Sequence, residues 1–164
     1  MGEEMKLTDY QQHAARTAPT HLDAKARRTN AAMMIVGEFG EVVDVLKKHL
    51  FQGHDLDRDK LREELGDVMW GCSECFTIDD LPIECGTWAY EDYTLVQMAH
   101  SVAEMAMAME RRGLAGNYTH IVAMVCTLIE RYGFTLDEVL EGNVAKLRAR
   151  YPDGFSEQAS RARA

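Results

Sequence analysis

Apolar residues recur at intervals of three and four along most of this chain, which is the spacing of helices that bury one face. The pattern predicts six helices, at about residues 7–17, 24–50, 58–76, 92–112, 117–132 and 135–150. Strand-like alternation of apolar and polar residues is absent, and only three prolines interrupt the 164 residues. We therefore expect an all-α protein in which the helices pack as a bundle.

Local signals mark several helix ends. Asp57 or Asp59 is expected to cap the third helix, and Thr135 with Glu138 predicts a capping box at the start of the last one. Residues 78–92 are expected to form a long loop, and the last eight residues are expected to fray. In the second helix, the stripe expected to face the core consists of Ile35, Phe39, Val42, Leu46 and Leu50.

The length and charge of the chain limit what it can be. A chain of 164 residues is expected to form one domain, and its net charge of −9 argues against binding a nucleic acid polymer. No apolar run has the length of a membrane span, and the chain starts without a hydrophobic signal segment, so we expect a cytoplasmic protein. Its cysteines should then be reduced. The motif Cys72-x-x-Cys75, followed by Cys85, resembles half of a zinc site, but we expect buried free thiols instead.

Two acidic pairs stand in otherwise apolar helices, Glu38-x-x-Glu41 and Glu64-x-x-Asp67. Residues three apart lie on one face of a helix, and among these acids only Glu64 has a basic residue, Lys60, three or four positions away. Antiparallel packing of the two helices would bring the pairs together. Such a group of carboxylates favours a Mg²⁺ or Mn²⁺ site, although exposed acidic surface is the alternative. A di-iron site is not favoured, because no glutamate is followed by histidine at the third position.

The last helix carries the complementary charge. Asn143, Lys146 and Arg150 share one face, and Tyr151 follows directly. A cation, an amide and an aromatic ring suit recognition of a triphosphate and a base. Taken alone, however, the segment is better explained as a solvated helix end, where basic residues also favour the dipole.

The stretches GEFGEVVDVLKKHLFQGHDLDRDKLREELGDVMW and TLDEVLEGNVAKLRARYPDGF resemble the MazG-like all-α nucleoside triphosphate pyrophosphohydrolases. The signature of that family is E-E-x-x-E followed by E-x-x-D, and Gly37 occupies the place of its first glutamate. The resemblance covers residues 7–70 and 134–156. It implies one domain over residues 1–164, with a four-helix core and an inserted segment at about 71–119.

The activity implied is hydrolysis of a (deoxy)nucleoside triphosphate to the monophosphate and pyrophosphate, for control of nucleotide pools. The resemblance assigns Mg²⁺, with Mn²⁺ as a possible substitute, to Glu38, Glu41, Glu64 and Asp67, and makes Glu38 and Glu41 the candidate catalytic acids. It assigns substrate binding to Asn143, Lys146, Arg150 and Tyr151. A homodimer or homotetramer is also implied. The alternative is a non-catalytic nucleotide-sensing or scaffold protein of the same fold, which Gly37 and the inserted segment favour.

Overall fold

The computed structural model describes residues 4–112 and 115–162, and within these ranges the chain forms seven helices and no strand. The all-α expectation is therefore confirmed. The helices are α1 (Leu7–Ala15), α2 (Ala24–Phe51), α3 (Arg58–Ile78), α4 (Leu95–Arg112), α5 (Ala115–Arg131), α6 (Leu136–Arg150) and α7 (Glu157–Arg161).

Helix α3 is the centre of the molecule. It packs against α1, α2, α5 and α6, whereas α4 lies outside it, against α2 and α5. This position explains why every residue of α3 from Glu64 to Phe76, apart from Asp67, is buried, polar ones included. Three of these, Leu65, Val68 and Cys72, recur at intervals of three and four, which is the spacing of a helix face that packs against the core.

The predicted helix starts agree with the hydrogen bonds at the caps. Asp57 caps α3 by accepting a hydrogen bond from the backbone nitrogen of Lys60, and Thr135 forms the predicted capping box with Glu138. Helix α4 begins at Leu95 rather than at residue 92. The reason is a second capping box that the sequence analysis missed, in which Thr94 and Gln97 exchange hydrogen bonds of 2.9 and 3.2 Å.

Two expectations about the fold were wrong. Leu50 is 50% exposed, because the last turn of α2 extends beyond the core that covers Ile35 to Leu46. Residues 157–161, which were expected to fray, form α7, where Ser156 accepts a hydrogen bond from the backbone nitrogen of Ala159. The final two residues lie outside the described ranges. Among the helices that the structure describes, none combines the length and apolar character needed to cross a membrane.

Candidate metal centre and adjoining pocket

Three of the four predicted metal ligands come together where α2 packs against α3. Glu38 on α2 and Glu64 and Asp67 on α3 each place one carboxylate oxygen within 4.8 Å of the other two. Glu64 is only 2% exposed, whereas Glu38 and Asp67 are partly buried. The fourth predicted ligand, Glu41, is exposed and is not part of this cluster.

Two lysines compensate part of this negative charge. Lys60 forms an ion pair with Glu64, and Lys146 of α6 forms ion pairs with Asp67 and, at 3.2 Å, with Glu63. The sequence analysis anticipated the first pair from its helical spacing. It did not anticipate the ion pairs of Lys146, which is distant in sequence and reaches the cluster only because α6 packs against α3.

The carboxylates remain crowded despite these lysines. Burial, a hydrogen bond with Glu64 and the negative charge of Asp67 raise the pKa of Glu38 from 4.5 to about 7. Burial also raises the pKa of Asp67, against the opposing effect of Lys146. A group of carboxylates that disfavours its own ionisation is stabilised by a cation. The three oxygens are hard donors, so the residues present fit a divalent ion such as Mg²⁺ or Mn²⁺.

Asn143 lies beside the cluster in the core and holds Asp67 in place. Its Nδ2 donates to Oδ1 of Asp67 at 2.8 Å, while its own Oδ1 accepts from the hydroxyl of Tyr10 at 2.9 Å. Gly66 permits this arrangement, because a Cβ at that position would lie 2.9 Å from the Cβ of Asn143. The structure thus places Asn143, predicted to bind substrate, where it orients a candidate metal ligand.

A cavity of about 320 Å³ opens next to the cluster, and Glu38 and Asp67 form part of its wall. Two of the predicted substrate-binding residues, Arg150 and Tyr151, also line it. Arg150 is partly exposed, and Tyr151 is buried with its ring 5.6 Å from that of Phe155. The structure therefore puts a cation and an aromatic side chain within the same pocket as two of the clustered acids.

Trp70 also lines this pocket, together with residues that were not identified from sequence, which include Thr17, His21, Asn30 and Phe155. Trp70 donates from Nε1 to the hydroxyl of Thr17 at 2.8 Å, which fixes the indole in the wall. Phe155 belongs to the quoted segment YPDGF, so its motif offered a signal. Thr17 and Asn30 are common residue types with no distinctive spacing. Their place in the pocket follows only from the way distant parts of the chain pack together.

Gly37, which replaces an expected acid, lies on another side of α2 from Glu38. It lines a shallow apolar groove between α2 and α4, together with Met33, Val36 and Met107. No atom lies within 4 Å of a Cβ built at this glycine. A glutamate there would thus have room, but it would start on the side of α2 that faces α4.

Fold and site together define an all-α protein with a three-carboxylate centre beside a pocket. Residues 27–84 match the family model of the MazG nucleotide pyrophosphohydrolase domain, and this match confirms the resemblance over α2 and α3. The matched segment contains all four predicted metal ligands but ends before α4, and so it excludes the residues of α6. No curated protein and no solved structure matches the chain.

Proposed function

We propose that this protein is a Mg²⁺-dependent nucleoside triphosphate pyrophosphohydrolase, which converts a (deoxy)nucleoside triphosphate to the monophosphate and pyrophosphate. The observation that carries the proposal is the position of the acidic cluster, since Glu38 and Asp67 face the same cavity as Arg150 and Tyr151. A nucleotide in this cavity would present its phosphates to the cluster. The match to a nucleotide pyrophosphohydrolase domain supports the same reaction.

Each side chain has a role in this reaction. Mg²⁺ held by Glu38, Glu64 and Asp67, with Glu41 as the fourth predicted ligand, would neutralise phosphate oxygens and acidify a bound water. Glu38 or Glu41 accepts the proton of the water whose oxygen bonds to the α-phosphorus as the bond to pyrophosphate breaks. Glu38 could act as the base only once the metal has displaced the proton that its pKa of about 7 lets it keep in the metal-free protein.

The basic side chains act on the phosphates. Arg150 donates hydrogen bonds to the charged oxygens in the cavity, and Lys146, already beside Asp67, stabilises the charge of the leaving pyrophosphate. Tyr151 contributes an aromatic surface for the sugar or the base. The proposal keeps Asn143 as a positioning residue, because its amide is engaged with Asp67 and Tyr10.

The test is a panel of common and modified nucleoside triphosphates incubated with the full chain and Mg²⁺, with monophosphate and pyrophosphate quantified. Asp67→Ala and Glu38→Gln should each reduce turnover by at least about 100-fold, as expected when a metal ligand or base is lost. Asp44→Asn is the matched control, since Asp44 is another acid of α2 but pairs with Lys47 and Lys48. If no nucleotide yields a monophosphate, the proposal fails.

A second experiment addresses the pocket. Arg150→Met should raise KM for the triphosphate because a cation that contacts phosphate oxygens is lost. Arg148→Met provides the control, because Arg148 lies two residues away and contacts His13 instead of lining the cavity. Equal effects of the two substitutions would contradict the assignment of the cavity as the substrate site.

A non-catalytic nucleotide sensor is the second candidate. It is favoured by the ion pairs of Lys60 with Glu64 and of Lys146 with Asp67, which compensate two of the acids without a metal. Under this alternative, nucleotides raise the melting temperature of the protein but are recovered intact. Hydrolysis with a dependence on Asp67 would exclude it.

The proposal includes a homodimer or homotetramer. Exposed apolar side chains at the groove between α2 and α4 support it, since Met33 is 71% and Met107 is 50% exposed. Light scattering coupled to size exclusion should give a mass of two or four chains. Met33→Glu should lower that mass. A wild-type protein with the mass of one chain would refute this part of the proposal.

A further inference from the structure

Lys146 of α6 is shared by two acids of α3, of which only Asp67 belongs to the candidate metal centre. Its Nζ forms ion pairs with Oδ2 of Asp67 and, at 3.2 Å, with Oε1 of Glu63. Glu63 precedes Asp67 by four residues, so the two acids lie one turn apart on the same face of α3. Glu63 itself lies outside the three-carboxylate cluster. Lys146 therefore joins a candidate metal ligand to an acid that has no role in the proposed reaction.

The two oxygens of Asp67 have partners of different charge. Oδ1 accepts a hydrogen bond from the amide of Asn143 at 2.8 Å, whereas Oδ2 accepts from the ammonium of Lys146. A divalent ion bound by Asp67 is not repelled by a neutral amide. Two cations a few ångströms apart in a partly buried site, however, repel each other strongly. The contact with Lys146 is therefore the one that must give way when Asp67 binds a metal.

Lys146 has little freedom to move into solvent. Its side chain is 19% exposed, because α6 packs against α3 beside it. The side chain of Lys60, which pairs with Glu64, is 45% exposed and has more access to water. A partly buried ammonium that loses its partner is costly unless another acceptor replaces it. Lys146 thus needs a second acid nearby, whereas Lys60 does not.

Glu63 offers Lys146 that second acid. A cavity of about 220 Å³ lies beside the contact of α3 with α6, and its wall includes Glu63, Asn143 and Lys146. The ammonium has room to withdraw from Asp67 on this side while it keeps its ion pair with Glu63. Because Glu63 is not a member of the cluster, its charge stays available to the lysine after the cluster has bound a cation.

We propose that Glu63 is a positioning residue that holds Lys146 beside the metal centre when a divalent cation replaces the lysine at Asp67. Lys146 is then a counterion of the protein itself that competes with the metal. Glu63 weakens this competition, because it gives the lysine another partner, and it keeps the ammonium where the phosphates of a nucleotide would lie. This proposal rests on the metal centre of the proposed function but does not require hydrolysis.

The test measures the affinity of the full chain for Mn²⁺ alone at pH 8, with free Mn²⁺ detected by electron paramagnetic resonance. Lys146→Met removes the competing charge and should strengthen binding by about 10-fold or more. Glu63→Gln should weaken binding by about 5-fold, which is the value of a partly exposed ion pair. In the Lys146→Met background, Glu63→Gln should change binding by less than about 2-fold, because no lysine remains to be held.

This double-mutant cycle separates positioning from direct attraction of the cation. If the charge of Glu63 attracted the metal directly, Glu63→Gln would weaken binding equally in both backgrounds, and that result would overturn the proposal. Unchanged binding by Glu63→Gln alone would also overturn it. Asp59→Asn is the matched control, since Asp59 borders the same cavity one turn before Glu63 but pairs with Arg62 at 3.0 Å. An effect of Asp59→Asn as large as that of Glu63→Gln would likewise contradict the proposal.

Two further measurements exclude a loss of structure as the cause. Thermal unfolding of each variant, followed by circular dichroism, should show a cooperative transition. Lys146→Gln, a second neutral replacement, should reproduce the cycle if Lys146→Met does not fold. A wild-type chain that binds no Mn²⁺ would overturn the metal centre together with this proposal. Mn²⁺ binding by the wild type without the predicted cycle would overturn the role of Glu63 alone.

Discussion

Replacement of Gly66 by alanine tests whether the close approach of α6 to α3 builds the site. Gly66 lies on α3 against Asn143, and a Cβ there would be 2.9 Å from the Cβ and 3.1 Å from the Nδ2 of Asn143. The nearer atom is at the root of the side chain, so the clash cannot be relieved by rotation of the amide alone. Helix α6 must shift, and the hydrogen bond from Asn143 to Asp67 must lengthen or break.

The magnitude follows from three opposing effects. Overpacking of a core position costs about 1–3 kcal/mol, and loss of a hydrogen bond to a charged group costs about 1.5–3 kcal/mol. Alanine regains about 1 kcal/mol of helix propensity. Because the two costs are partly alternatives, we expect a net loss of about 1–3 kcal/mol. For a chain of this size that lowers the melting temperature by about 2–12 °C.

The assay is thermal unfolding followed by circular dichroism, with Gly40→Ala as the matched control. Gly40 is also inside a helix, and no atom lies within 4 Å of a Cβ built there, so this control should gain up to about 1 kcal/mol. The Mg²⁺ dependence of the melting temperature should weaken only in Gly66→Ala. A Gly66→Ala variant that is stabilised as much as Gly40→Ala would refute the packing argument.

Three further predictions concern stability. Between pH 4.5 and about 7, the folded metal-free protein keeps a proton on Glu38 that the unfolded state has lost. The free energy of unfolding should therefore fall by about 1–2 kcal/mol as the pH rises across this range, after allowance for solvent screening. Glu38→Gln should remove this pH dependence when unfolding is measured in urea. Arg27→Met leaves the buried carboxylate of Glu74 unpaired and should lower the free energy of unfolding by about 3–5 kcal/mol in the same assay. The double variant Arg27→Met, Glu74→Leu has no unpaired charge and should regain most of this loss. Thr135→Ala removes the capping box with Glu138 and should cost about 1 kcal/mol by thermal unfolding; an unchanged melting temperature would contradict that role.

Six of the seven described helices could be predicted from sequence, because apolar residues recur along each of them at helical spacing; α7, with five residues, is too short to show that period. The buried positions Ile35 and Leu65 follow directly from that spacing, as does the cap at Thr135. Leu50 shows the limit of the method. Its position continues the periodic stripe, but periodicity does not reveal where the neighbouring helices end, and so it could not predict that this side chain is exposed.

The candidate site was predictable only where it depends on spacing within one helix. The pairs on α2 and α3 were found in this way, and three of their four acids meet in the structure. The contacts of Asn143 and Lys146 with Asp67 could not be predicted from sequence, because they depend on the packing of α6 against α3. The hydrogen bond of Tyr10 to Asn143 could not be predicted, since a tyrosine on the apolar side of a short helix is normally interpreted as a residue of the hydrophobic core.

The crowding of acids that weakens the metal-free fold is also what favours a cation. Glu38 retains its proton because burial, Glu64 and Asp67 disfavour another negative charge, so a divalent ion that enters the cluster must displace that proton. Proton release should therefore accompany Mg²⁺ binding below pH 7 and diminish above it. The gain in stability at a fixed Mg²⁺ concentration grows as the dissociation constant falls, and should be larger at pH 8 than at pH 6. Because Asp67 is held by Asn143 and Lys146, this coupling depends on the contact of α6 with α3, and not on α2 and α3 alone.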